Sequence, residues 1–547
     1  MDTPSRRTIL RAPLAAAGAG LLSACTSSGS EPPRSALRGA GLEGNFAPPG
    51  PRGYINPSDP EVLAAERRRG AGRVHTLRFT AAESRLDLGG RAVRTWAYNE
   101  TVPGPLVRVT AGDVLDLTLA NRLPDTTTLH SHGVRLRCDM DGVPDLTQRA
   151  IPAGADFVYR FTVKHPGTYL FHSHVGMQPD RALYAPLVVD DPKEPLRYDK
   201  EWIVVLDDWL DGVDGSTPDR VLEQLKPGSG GMDMRGMAMG PGNSHQSGHP
   251  SPSGQGGAKA SPAKKYTGPS RVMHGSRSSI LHSEGGSVDY PYYLANGRLP
   301  TSPSVFRCRK GERIRLRLIN AGSETAFRVA LGGHTMTVTH TDGYPVKHKE
   351  TDGLLIGMSE RYDVLVTAED GVFPLVAEAE GKKGRALAVL RTDNGRNLPP
   401  ANVRPDELDG DIVPARRLEP DDSVALPDRK VDREIRIRIT GTMKKFDWGF
   451  DHMAYSVRQR HPVHQGERVK LTLINATDMW HPMHLHGHTF AVKGLDSAGA
   501  RKDTAVVLPH RKLVLEFDCD NPGLWMLHCH NQYHSESGMM TVLGYKR

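Results

Sequence analysis

Four short segments collect the side chains most able to hold metals: His130-Ser131-His132, His172-Ser173-His174, His481-Pro482-Met483-His484-Leu485-His486, and His528-Cys529-His530 followed by His534 and Met539. One such pair would carry little weight, because an ordinary surface or core histidine couple has the same pattern. Four in one chain, two toward each end of its patterned region, make coincidence a poor account. On a β-strand, residues i and i+2 project from the same face, so each His-x-His sets two imidazoles side by side, suited to adjacent metals. His528-Cys529-His530 adds a thiol facing the other way, so one short stretch of chain can touch two separate metal centres and conduct electrons between them.

Ligand type selects the metal. A thiolate, two imidazoles and a weak axial thioether make the blue-copper set, used for electron transfer. Cys529, His534 and Met539 supply three of these within one loop, and His481 is the candidate for the fourth. Structural zinc is the rival for any Cys/His cluster, but zinc sites favour more thiolates and closed tetrahedra, and one Cys among ten histidines argues against it. The remaining eight, His130, His132, His172, His174, His484, His486, His528 and His530, are neutral nitrogen ligands suited to three further coppers with open positions for oxygen.

As a set, these segments resemble the copper signatures of the multicopper oxidases, the family of laccases and bacterial cuprous oxidases, and they stand in that family's order. The resemblance implies an all-β chain of three tandem cupredoxin-like Greek-key β-sandwich domains holding four copper ions. It implies His481, Cys529, His534 and Met539 at a type 1 copper, His130 and His484 at a type 2 copper, and His132, His172, His174, His486, His528 and His530 at a type 3 pair. The activity implied is one-electron oxidation of a substrate at the type 1 site, conduction through Cys529, and four-electron reduction of O2 to water at the trinuclear cluster. Met539 in the axial place resembles the bacterial members. Asp141, before Gly142, occupies a position resembling the family's cluster-proximal carboxylate and is the candidate proton relay; a plain turn aspartate is the alternative. Bacterial relatives often carry a second acid directly after the histidine matched by His534. Here that place is Ser535 and the acid follows as Glu536, so the second proton donor stays open.

Strands must position these groups. Short alternating strands punctuated by Gly, Pro and Asn run through the chain from near Arg73, with almost no helical period. The segments 112–121, 311–320 and 466–475 share one template, a Gly-acid turn feeding an alternating strand that ends at Asn, and three copies imply three related β-domains. Their expected bounds are 71–192, 193–400 and 429–547, with a linker at 401–428. A second echo, Pro166-Gly167-Thr168-Tyr169-Leu170-Phe171-His172-Ser173-His174 against Pro522-Gly523-Leu524-Trp525-Met526-Leu527-His528-Cys529-His530, joins the outer domains only. The middle domain is therefore expected to be a spacer that lets the outer two face each other.

Within domain two, residues 226–268 collapse into Gly, Ser, Pro, Met and His, an insertion carrying Met232, Met234, Met237 and Met239 and then His245 and His249. Thioethers are soft ligands that prefer Cu(I), and the flanks lack the hydrophobic period that would make these methionines core; a loop without function is the alternative. Loop, export signal and axial Met together resemble bacterial copper-tolerance oxidases, so the expected reductant is Cu(I), with phenols and aromatic amines as the laccase-type alternative. A copper-binding or electron-transfer protein without catalysis is the reading from another class, and it leaves eight histidines without purpose.

At the N-terminus, Arg6 and Arg7 before a short apolar stretch resemble a twin-arginine export signal, residues 1–24, and Leu22-Ser23-Ala24-Cys25 resembles a lipobox. Lipid on Cys25 would anchor the protein on the outer face of the membrane; otherwise cleavage releases it. Residues 25–70 read as a flexible tether. With Cys529 given to metal, at most one disulfide can form among Cys138, Cys308 and Cys519. The formal charge of +7 comes with no basic run interleaved with aromatics, so no nucleic-acid partner is expected, and a monomer is.

Overall fold

The repeated template occupies the same place three times. Residues 52–226, 268–395, 397–456, 458–494 and 497–547 are described in a computed structural model. Within them Val114–Arg122, Arg313–Asn320 and Arg468–Asn475 each lie parallel to the strand that opens their domain (Val74–Asp87, Lys200–Trp209, Arg433–Thr440) and antiparallel to a later one. Each is preceded by a glycine at positive φ, 99° at Gly112, 83° at Gly311 and 89° at Gly466, a backbone state costly for other residues. The acid that follows accepts the N–H three residues back: Thr110 to Asp113 at 2.9 Å, Arg309 to Glu312 at 2.8 Å, His464 to Glu467 at 2.8 Å.

The terminal asparagines repeat as faithfully. Asn121 donates to the carbonyls of Asp125 and Ile151 at 2.8 and 2.9 Å, Asn320 to those of Thr325 and Ile356 at 2.9 and 3.1 Å, and Asn475 to those of Met479 and Leu508 at 2.7 and 3.0 Å. In each case the Asn oxygen accepts the N–H two residues on, at 3.0, 2.9 and 3.0 Å. A buried amide with its donors and acceptor filled fixes the loop that leaves the strand.

Each template strand belongs to one of two large sheets in its domain, four and four strands in the first, six and six in the second beside a small two-stranded sheet, six and five in the third. Apolar residues such as Leu115, Leu117 and Leu119, or Leu316 and Leu318, are buried between them. The histidine segments lie in the second sheet of the outer domains. His130–His132 pairs antiparallel with Gly167–His172, setting His130 opposite His172, and His481–Leu485 pairs with Leu524–Cys529, setting His484 opposite His528. Directly opposed residues on neighbouring strands hold their side chains within contact distance, so register brings together imidazoles far apart in sequence.

Two of the expected segment bounds change. Residues 52–70, read as the end of a tether, instead carry the helix Pro60–Arg67 and are tied down at both ends. Ile55 N–H donates to Tyr545 O at 2.8 Å, Glu66 accepts the Thr162 N–H at 2.6 Å, and Arg69 reaches Asn521 at 2.8 Å. Only Val62 and Ala65 of this helix are buried, too sparse a pattern to announce itself; long-range polar contacts order the segment. The four described cysteines, Cys138, Cys308, Cys519 and Cys529, are all free, so no disulfide forms among them. In the stretch read as a linker, Ile412–Val413 adds an edge strand to the second domain, parallel to Gly353–Leu354. The signal with Arg6, Arg7 and Cys25, and the insertion with Met232, Met234, Met237, Met239, His245 and His249, lie outside the described residues. No helix among those described is long and apolar enough to cross a membrane.

Candidate metal centres

Cys529, at the end of its strand, points its thiol at two imidazoles. Its Sγ is 3.7 Å from His481 Nδ1 and 3.9 Å from His534 Nδ1, and those two nitrogens are 3.2 Å apart. His534 stands on the four-residue helix Gln532–Ser535, whose first N–H groups are capped by the side chain of Asn531. His481 is oriented by the template asparagine: Thr477 donates its hydroxyl to Asn475 Oδ1 at 2.8 Å and accepts from His481 Nε2 at 2.9 Å, which leaves Nδ1 with its lone pair toward the thiol. Met539 is buried, with its main chain bonded to Cys529 and His534. Burial pushes the Cys529 thiol up and brings His481 down to about 3. A thiol with only neutral neighbours gives up its proton when a cation takes its place, so the donor set fits a soft metal ion.

On the other face of that strand the eight remaining histidines meet. His132, His172 and His530 form one group, with ring centroids 5.0 to 5.7 Å apart. His174, His486 and His528 form a second, at 5.1 to 5.2 Å, and His130 and His484 stand between, 5.9 Å apart. Most of the rings are fixed through Nδ1: His130 to Asp141 O at 2.8 Å, His172 to Ser173 O at 2.7 Å, His484 to Asp503 O at 2.9 Å, His528 to Cys529 O at 2.9 Å, and His486 to the Asp141 carboxylate at 2.8 Å. His132 is reversed, held through Nε2 by Asp503 at 3.0 Å and Thr504 at 3.1 Å. A ring whose one nitrogen donates to an oxygen presents a lone pair at the other, the state in which imidazole binds metal.

That state fits what the inner nitrogens lack. The Nε2 atoms of His130, His172, His174 and His484, and Nδ1 of His132, are buried without a hydrogen-bond partner. His486 Nε2 and His528 Nε2 lie 3.1 Å apart although both rings donate elsewhere through Nδ1, so two lone pairs face each other. Burial and then the neighbouring histidines hold both rings well below the ordinary imidazole range, which keeps them neutral. Opposed lone pairs repel unless a cation lies between them, and the geometry fits metal here too.

Several supporting residues carried no signal in the sequence. The spacer domain reaches into the cluster: Ser359 lies 2.8 Å from His530, and Arg361 clasps Asp503 at 2.8 and 2.6 Å. Asp503, fully buried, is thereby held well below the usual carboxylate range against its burial. Asp342 accepts the backbone N–H groups of Arg361, Asp503 and Thr504, and Lys502 bridges Asp342 and Glu360 at 3.1 and 3.0 Å. Trp448 covers the mononuclear site, its ring 4.3 Å from that of His534. Asp141 closes a turn before Gly142 at φ 82° and touches imidazoles from both outer domains. Glu536 sits outside the cluster, 3.4 Å from Gln532, with burial raising it to about 7 against the pull of Lys226.

Known proteins resemble this chain in sequence and fold. Family models described as multicopper oxidase match residues 80–194, 255–395 and 428–546. Multicopper oxidase MmcO of Mycobacterium tuberculosis is 44% identical over 486 residues, covering 88% of this chain and 90% of that protein. The copper resistance protein A homolog of Pseudomonas syringae pv. tomato is 29% identical, covering 84% and 90%. Among solved structures, Fet3p, a multicopper oxidase that functions in iron import, superposes with a TM-score of 0.68 at 21% identity, over 86% of this chain and 90% of that one. With three matched segments, one in each sandwich, and a relative this similar along nearly its whole length, the chain belongs to the multicopper oxidase family of copper-binding oxidoreductases.

Proposed function

We propose that this protein holds four copper ions and couples one-electron oxidation of a substrate to the four-electron reduction of O2 to water, acting chiefly on Cu(I) in copper tolerance and oxidising phenols as a secondary activity. The observation that carries the reading is the strand 524–529 with His530: its thiol faces His481 and His534 while both flanking histidines face the eight-imidazole cluster. His481, Cys529, His534 and Met539 would hold the type 1 copper. His130 and His484 would hold type 2, and the groups His132, His172, His530 and His174, His486, His528 would each hold one copper of the type 3 pair. Copper bound there supplies one-electron redox chemistry and a place where dioxygen is reduced.

The residues do the rest. Cys529 joins the two sites through two covalent neighbours, His528 and His530. Asp141, on His486, is placed to move protons at the cluster, and Glu536 beside Gln532 is the second acid. Both outer domains and the middle one fix the imidazoles before any ligand arrives, which removes reorganisation from the electron-transfer steps. Support for copper tolerance comes from the relative named copper resistance protein A, together with the Met232–Met239 cluster read from the sequence. Export by the twin-arginine signal, with a lipid anchor at Cys25, belongs to the same proposal, since it would place the enzyme where copper enters the cell. Oxygen uptake by the copper-loaded chain, with Cu(I) and separately with a phenolic donor, tests the reading. A blue protein that takes up no oxygen with either would be an electron carrier instead.

A further inference from the structure

A small cavity lies against the histidine cluster on the side of His172 and His530, closed by Ser323, Ser359, Gln532 and Tyr184. It is just large enough for a water molecule, and its walls are polar enough to hold one. Behind Tyr184, two carboxyls stand side by side in the strand Lys200–Trp209, in unlike surroundings. Asp208 accepts the N–H groups of Ser323 at 2.8 Å and Glu324 at 3.0 Å, the surroundings that suit a carboxylate. Asp207 is buried with the Tyr184 hydroxyl at 2.7 Å. Among the described residues no lysine or arginine is ion-paired with it.

We propose that Asp207 and Tyr184 form a proton-delivery pair opening onto the cavity beside His172 and His530, supplying protons to oxygen as it is reduced there. The inference rests on the oxygen-reducing reading above. Burial first, then the charge of Asp208, raises the Asp207 carboxyl well above the usual carboxylate range, the direction a proton donor needs. A third carboxyl, Asp180, is raised in the same order of causes and takes the hydroxyls of Tyr533 at 2.6 Å and Tyr290 at 3.2 Å. In the step itself the Asp207 O–H breaks and its proton moves to the Tyr184 oxygen while the Tyr184 hydroxyl proton passes to water in the cavity. Tyr184 is a neutral phenol before and after, Asp207 is left as a carboxylate, and no electron moves. Between turnovers a hydronium ion of the solvent gives a proton to the Asp207 carboxylate and leaves as water. Neither Asp207 nor Tyr184 belongs to the histidine motifs, and Asp207 lies in the domain that has none.

The test uses the full-length, copper-loaded chain with Asp207→Asn and Tyr184→Phe. Each variant is reduced without oxygen, mixed with O2, and followed in H2O and D2O. Both substitutions slow reoxidation by about 10²-fold, the usual weight of a positioned proton donor, and change the solvent isotope effect, while bleaching of the blue band by reductant keeps its wild-type rate. In the infrared, Asp207→Asn alone removes a protonated-carboxyl C=O absorption at neutral pH, and Tyr184→Phe retains it. Wild-type reoxidation in Asp207→Asn, or an unchanged carboxyl absorption, overturns the inference by itself. A wild-type chain that reduces no oxygen overturns the functional reading, and this inference falls with it.

Discussion

Arg361→Met would test whether the middle domain is a spacer or a structural part of the cluster. Arg361 is fully buried, bonds Asp503 through two N–H groups at 2.8 and 2.6 Å, and donates to the Thr168 and Ser359 carbonyls at 3.0 Å each. Methionine fills the stem but leaves Asp503 as an uncompensated buried charge, a loss worth about 3–5 kcal/mol. Asp342 is not counted, because Lys502 still lies 3.1 Å from it. Asp503 also holds His132 and, through its carbonyl, His484, so copper should be lost from the cluster before the mononuclear site, whose His481, Cys529 and His534 do not touch Arg361. Chemical unfolding of the copper-free chain measures the first effect; copper content and the blue band of the loaded chain measure the second. Adding Asp503→Asn removes the stranded charge and should recover about 2–3 kcal/mol as a coupling between the two sites. A single variant within about 1 kcal/mol of wild type, or a double variant no more stable than the single, would refute the reasoning.

Other outcomes follow from the same geometry. Asp141→Asn keeps a partner for His486 but removes the acid, so oxygen reduction should slow by about 10²-fold with type 1 reduction unchanged; equal slowing of both steps would point to a structural role. Deleting residues 231–250 should abolish Cu(I) oxidation and spare phenol oxidation, and parallel loss of both would remove the case for a Cu(I)-recruiting loop. His340 is brought down to about 4 from 6.5, by burial above all. The unfolded chain therefore binds that proton more readily, and stability should decline as pH falls through the window from 6.5 to about 4. Unfolding midpoints of the copper-free His340→Gln chain across that window should fall less steeply than those of wild type.

The clustering of the histidine motifs was legible because metal-ligand patterns use few side-chain types at spacings fixed by strand geometry. Two imidazoles separated by one residue share a face wherever the strand lies, so His130 and His132 can be read as a pair without any knowledge of the sheet. The template strands were legible for a similar reason, since Gly at positive φ, an acid capping the turn and a loop-fixing Asn are local requirements. Asp503, Arg361 and Ser359 left no such trace. Their role depends on contacts across 142 and 171 positions of sequence, and a buried arginine in an alternating strand reads like an exposed one until the neighbouring domain is in place. The helix Pro60–Arg67 was missed because its order comes from Thr162, Asn521 and Tyr545 rather than from its own pattern.

The middle domain also contributes contacts to the cluster, for a physical reason that bears on how this site could tolerate change. Eight imidazoles crowded into one buried volume have no mutual attraction, and the opposed lone pairs of His486 and His528 repel. Metal relieves that repulsion once bound, but the outer domains must be held together beforehand, or copper would meet half a site. The ion network of Arg361, Asp503, Asp342, Lys502 and Glu360 lies between the middle domain and the third, and Arg361 also grips the first through Thr168. Charges in such a place add little net stability over an apolar contact, yet they penalise every misaligned docking in which one of them loses its partner. Replacing the whole network by well-packed apolar side chains should therefore leave the copper-free protein about as stable while loosening the cluster. Copper affinity would fall although the unfolding midpoint did not, a separation that no account of the middle domain as an inert spacer predicts.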